Sequence, residues 1–149
     1  MAINIEKMTL PELLQHIGDL PVAKKASALK QIANLTPELK TVLKYTFHKN
    51  ILFELPKGVP PYKPMETPAN WGHNRLPKEL RKFQYFITGT TLNLIKRESM
   101  FIEVLESVSP EEAKLVLMMK EKKLTYKGIN RKLIEEALPE ILQGESEYI

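Results

Sequence analysis

The stretch that decides the fold is Ser109-Pro110-Glu111-Glu112-Ala113-Lys114-Leu115-Val116-Leu117-Met118-Met119-Lys120. It starts with a hydroxyl residue that can cap a helix, places proline at the first helical position, and puts two acids near the positive end of the helix dipole. From Ala113 to Met119, six of seven residues are apolar, which is more than one face of a helix can hold. The stretch predicts a buried, central helix.

Similar start signals recur before this helix. Thr9-Leu10-Pro11-Glu12 has the spacing of a capping box, and Thr36-Pro37-Glu38 repeats the order of cap, proline and acid. Apolar residues recur at helical spacing in three stretches before residue 50 and in three more after residue 75. We therefore expect an all-α, compact domain of about six or seven helices.

Prolines interrupt this pattern in the middle of the chain. Six of the 11 prolines lie from Pro56 to Pro77, and proline excludes helix and removes amide donors. We expect one domain over residues 1–149. Residues 1–50 form three helices, 51–76 a long irregular loop, 77–142 the C-terminal helices, and 143–149 an acidic tail.

Composition excludes several classes of protein. Hydrophobic residues make up 43% and charged residues 27%, as in ordinary globular domains. The chain has no cysteine, so disulfides, thiolate nucleophiles and cysteine zinc sites are excluded. No apolar run reaches the roughly 18 residues of a membrane span, and the first residues lack the pattern of a signal peptide. We expect a cytoplasmic protein without membrane contact.

The residues needed for catalysis are sparse. The three histidines, His16, His48 and His73, are not at ligand spacing, and Asp19 is the single aspartate. Neither a glycine-rich phosphate loop nor a nucleophile elbow occurs in the sequence. We expect no enzymatic activity, no metal and no cofactor, and the oligomeric state stays open.

A basic segment stands out in a chain of net charge +4. Residues 114–132 hold seven basic side chains and one acid, whereas residues 133–149 hold five glutamates and no base. Lysines here can contact phosphates, or can simply form a solvated helix end that meets the negative dipole. The candidate nucleic-acid contacts are Lys120, Lys122, Lys123, Lys127, Arg131 and Lys132.

Two further features allow binding. Arg81 and Lys82 precede Phe83, Tyr85 and Phe86, so they can grip a single strand by charge and stacking, although the rings also fit a core stripe. The proline-rich loop can dock on a partner in extended form, or it can wrap the helical body with Trp71 as an anchor. Its candidate partner contacts are Pro60, Pro61, Tyr62, Lys63, Pro64 and Trp71.

Several motifs carry a family resemblance. They are Phe53-Glu54-Leu55-Pro56-Lys57-Gly58-Val59-Pro60-Pro61-Tyr62-Lys63-Pro64, Lys96-Arg97-Glu98-Ser99-Met100-Phe101-Ile102, Ala113-Lys114-Leu115-Val116-Leu117, Lys122-Lys123-Leu124 and Tyr126-Lys127-Gly128-Ile129. They resemble a small family of unknown function in large tailed phages, including those of marine cyanobacteria. The resemblance implies a phage origin and the host cytoplasm, and it brings no catalytic residues.

Two functions follow as expectations. The first is a non-enzymatic phage accessory protein that contacts DNA or RNA, or the replication or transcription machinery, through the basic segment. The second is a module that binds a phage or host protein through the proline-rich loop, as an adaptor, an inhibitor of a host or defence protein, or a virion component.

Overall fold

A computed structural model describes residues 8–65 and 75–144, and this part of the chain contains seven α-helices and no strand. Two 3-10 helices, Leu80–Tyr85 and Pro139–Leu142, complete the regular structure. The all-α prediction is confirmed. The helices are α1 (Leu10–Gly18), α2 (Val22–Leu35), α3 (Pro37–Phe47), α4 (Leu76–Glu79), α5 (Leu94–Ser107), α6 (Pro110–Lys120) and α7 (Arg131–Ala137).

Capping boxes start two of these helices, as the sequence predicts. The Thr9 and Glu12 side chains each bond the other's main-chain amide at the start of α1, and Ser109 and Glu112 do the same for α6. Thr36 precedes α3 without a side-chain cap hydrogen bond, so there Pro37 is the operative start signal.

The apolar residues Leu76, Leu80, Phe83 and Ile87 have the spacing of an α-helix, but the structure winds most of this stretch more tightly. The helix α4 is four residues long, and the chain continues as a 3-10 helix from Leu80 to Tyr85. In a 3-10 helix, side chains three residues apart eclipse one another. Leu80, Phe83 and Phe86 have this spacing and all three are buried, so the tighter winding directs them along one line into the core.

The helix α6 lies at the centre of the fold and contacts α1, α3 and α5. Its buried residues are spread around much of its circumference, as its sequence predicts: Glu112, Ala113, Leu115, Val116, Met119 and Lys120. The helices α2 and α7 pack against each other and against α3, which places the N-terminal and C-terminal parts of the chain in one core.

An aromatic cluster fixes the chain that enters the proline-rich loop. Phe53 pairs with Ile87 in an isolated antiparallel bridge, and its ring meets Phe83 edge-on at 6.2 Å. Phe83 contacts Phe86 at 5.5 Å, and Phe86 contacts Phe101 of α5 at 5.3 Å. The loop therefore leaves the body from a fixed position beside α5.

Candidate functional site

Lys120, a predicted phosphate contact, is buried at the end of α6. Its ammonium group donates to the Gly58 carbonyl at 2.8 Å and pairs with the Glu121 carboxylate at 2.8 Å. The same carboxylate accepts the Gly58 amide at 3.2 Å. The Lys120 ammonium, as the first cause, holds the pKa of Glu121 below its ordinary value. Both main-chain groups of Gly58 are thus bound to the end of α6.

Lys122 is also engaged inside the protein. Its φ of 62° lies in the left-handed region, and its amide donates to the Met119 carbonyl at 3.0 Å to close α6. Its ammonium group donates to the carbonyls of Tyr45 and His48 at 2.8 Å each, and to that of Ile51. A cation therefore lies at the negative end of α3, and this contact explains a lysine where glycine is usual.

The remaining basic residues fall into two groups, one bound to another part of the protein and one exposed to solvent. Arg131 donates to the Phe47 carbonyl at 2.9 Å, again at the end of α3, and its guanidinium lies 3.8 Å from Glu135. Lys123, Lys127 and Lys132 are exposed. The structure does not bring the six candidate cations onto one solvent face, since three of them bind carbonyls of neighbouring segments.

The second candidate nucleic-acid surface, residues 81–86, is exposed only in part. Arg81 is exposed, whereas Lys82 pairs with Glu79 at 2.8 Å. Phe83 and Phe86 lie in the core and only Tyr85, 43% exposed, can offer a ring to solvent among the three. Stacking on consecutive aromatic rings is therefore not available on this surface.

The proline-rich residues 55–64, here called the strap, lie across α5 and the end of α6. The Glu54 carbonyl before the strap accepts from Arg97 at 2.5 Å, Gly58 is bound as described, and the Lys63 amide donates to Glu106 at 2.7 Å. Gly58 has φ of 90°, a conformation that other residues adopt with strain. The strap and the residue before it are thus bound to the helical body at three points.

Tyr62 is half-buried against the core, and Pro60 is half-buried as well. Pro61, Lys63 and Pro64 are exposed. Trp71, the expected anchor, lies outside the described residues. The predicted partner contacts of the loop therefore split between core packing and solvent.

A cleft of about 290 Å³ opens between the strap and α5. Val59 at its edge is 69% exposed, and the charged residues on its lining come from both sides. The volume approaches the lower end of the range of about 300–1,000 Å³ that is typical of ligand sites. The lining residues are Leu55, Pro56, Lys57, Gly58, Val59, Pro60, Pro61, Glu98, Phe101, Ile102 and Lys120.

Sequence reasoning missed the helical half of this cleft. Glu98 and Ile102 belong to α5, and neither is among the contacts predicted from the sequence. A signal was present in Ile95, an apolar residue off the buried stripe, which is 80% exposed. Ile95 and Ile102 are seven residues apart and therefore lie on the same face of α5.

Residues 8–65 and 75–144 contain no group of three or more side chains able to hold a metal ion. Within the same part of the chain, no helix combines the length and the apolar character needed to cross a membrane.

The fold and the cleft together define an all-α domain with a proline-rich strap tied across two of its helices. A model of a family of unknown function, DUF6433, matches residues 19–126, so the chain belongs to that family. The matched range includes the strap, α5 and α6, and with them every residue that lines the cleft. No curated protein and no solved structure matches the chain.

Proposed function

We propose that this chain is a non-enzymatic protein-binding module, and that the cleft between the strap and α5 receives an apolar side chain of another protein. The observation that carries this proposal is the cleft itself, which has largely apolar walls and includes the 69% exposed Val59. Contiguous apolar surface rimmed by polar residues marks interaction sites, whereas singly exposed apolar residues do not. From the family resemblance, we propose further that this protein is phage-encoded and acts in the host cytoplasm.

The charged residues of the cleft determine which charges a partner needs. Lys57 lines the cleft from the strap and Glu98 lines it from α5, on either side of the apolar walls. A complementary partner places its apolar side chain between an acidic and a basic residue. The strap prolines lack amide donors, so the strap is a poor template for an added β-strand.

The test starts from photo-crosslinking in phage-infected host cells. A photoreactive residue at position 59 is compared with the same residue at Val22, which is 85% exposed on α2. We expect one protein to crosslink from position 59 alone, and that protein, once purified, to bind the full chain directly. Val59→Asp should weaken the binding and Val22→Asp should not. Equal effects of the two substitutions would contradict the assigned surface.

A second candidate, nucleic-acid contact, is favoured by one observation: Lys123, Lys127 and Lys132 are all exposed. Three phosphate contacts predict modest affinity and a slope of about −2.7 in log K against log salt on duplex DNA. A gel-shift salt series with the triple Glu variant of these lysines tests it. Lys122 is kept, because its replacement would disturb α3. Absence of binding to DNA or RNA at low salt would dismiss this candidate.

A further inference from the structure

We infer that the partner element received by the cleft is an amphipathic helix lying along α5, with two apolar side chains about seven residues apart. This inference rests on the proposed function, and it specifies the secondary structure and spacing of the partner.

Two isoleucines on α5 define the spacing that a partner meets. Ile95 and Ile102 share a face, and seven residues of α-helix rise about 10.5 Å. Ile102 lines the cleft, whereas Ile95 is 80% exposed beyond it. The surface therefore offers two apolar positions, one recessed and one open, separated by two helical turns. A second helix contacts both positions with its own residues i and i+7.

The main chain of the strap disfavours an extended peptide as the occupant. An added strand needs a free row of main-chain donors and acceptors. Pro56, Pro60 and Pro61 lack amides, and both main-chain groups of Gly58 are bound to the end of α6. A partner here does not add a strand and binds through side chains instead, as a helix in a groove does.

The charged residues Lys57 and Glu98 line the cleft beside its apolar positions. Glu98 lies on the same α5 face between Ile95 and Ile102, and Lys57 lies on the strap side of the cleft. A partner helix with a basic residue facing α5 and an acidic residue facing the strap satisfies both. The partner is therefore an amphipathic helix with charges of both signs flanking its apolar stripe.

The experiment uses two display libraries against the full chain. One presents stabilised single helices with one face randomised, and the other presents unstructured peptides of equal length. We expect helical binders with apolar residues at i and i+7, whose complexes shift the NMR signals of α5 and the strap. Ile95→Asp should weaken them about tenfold or more, and Val22→Asp should leave them unchanged.

A charge exchange gives a sharper readout. Glu98→Lys should weaken a helical binder that has a basic residue at the facing position, and replacing that residue with Glu should restore the affinity. A purely structural role of Glu98 would give no such restoration. Failure of the exchange would overturn the proposed orientation of the partner charges.

The remaining outcomes separate the two proposals. Extended peptides that alone bind in the cleft would overturn the helical partner and leave the proposed function standing. Failure of both libraries to yield a binder that maps to the cleft would overturn the proposed function as well. Self-association that Ile95→Asp abolishes would identify a second copy of this chain as the occupant and overturn the inference.

Discussion

The ammonium group of Lys122 donates a hydrogen bond to the main-chain carbonyl of His48 at 2.8 Å. The same ammonium binds the carbonyls of Tyr45 and Ile51, so it joins the end of α6 to the end of α3. His48 in turn bonds the Gln143 carbonyl through Nε2 at 2.8 Å, which brings the C-terminal residues to the same place. A lysine predicted to bind a phosphate thus stabilises a junction of three segments.

Replacement of Lys122 should therefore cost stability. We expect Lys122→Met to lower the free energy of unfolding by about 2–4 kcal/mol, because it leaves several carbonyls at the end of α3 without their charged donor. Urea denaturation measures this change. Lys123→Met is the matched control: its side chain is exposed, and its effect should stay within about 0.5 kcal/mol. Similar losses in the two variants would contradict the assigned role of Lys122.

Replacement of Glu112 should lower the stability of the fold by more than the loss of a helix cap alone. Its buried carboxylate accepts the Ser109 amide at 3.1 Å with one oxygen and the Leu76 amide at 2.8 Å with the other. Glu112→Gln sets an amide donor against one of these donors, so we expect a loss of about 1–3 kcal/mol in thermal or urea unfolding. Glu111→Gln, at an exposed position, is the control and should change stability little. Equal losses would refute the link from α6 to α4.

The attachment of the strap should weaken in acid. The pKa of Glu121 is lowered from 4.5, first by the hydrogen bond from Lys120, so its contribution is complete above that pH and is lost as the pH falls through the lower, native value. The NMR shift of the Gly58 amide, which Glu121 accepts, should follow this titration. Lys120→Met should move the midpoint upward toward 4.5. An unmoved midpoint would show that Lys120 is not the cause.

Tyr126 should titrate late in alkali. Burial, and to a smaller extent the charge of Glu111, raises the pKa of Tyr126 from 10.0 to about 12, because both disfavour the phenolate. The folded state then holds its proton where the unfolded chain loses it, so stability falls as the pH rises from about 10 to about 12. Burial also raises the pKa of Tyr45, so ultraviolet titration of tyrosinate should show late ionisation of more than one tyrosine. The step near pH 12 should disappear in Tyr126→Phe. Persistence of that transition would assign it to another tyrosine.

Local signals predicted much of the fold. The caps at Thr9 and Ser109, the proline at Pro37 and the apolar stripes define where helices begin and which faces they bury, since these depend on residues within one or two turns. The 3-10 helix was missed because a stripe with spacings of three and four residues fits an α-helix equally well. The contacts of the aromatic cluster then favour the tighter winding of Leu80, Phe83 and Phe86.

The role of each charged residue could not be predicted from the sequence alone. A lysine in a sequence carries the same charge whether it faces solvent or a helix end, so Lys120 and Lys122 could not be told from Lys123 before the chain was folded. Their partners, Gly58 and the end of α3, are more than sixty residues away in sequence. The cleft likewise needs the strap and α5 side by side, over forty residues apart.

The one-dimensional pattern was therefore enough for the all-α class, most helix starts and the proline-rich interruption, because propensity and capping are local. The use of three cations as internal supports, and the apolar cleft between the strap and α5, arise from long-range packing. That packing sets which carbonyl meets which ammonium group and which apolar face stays in water.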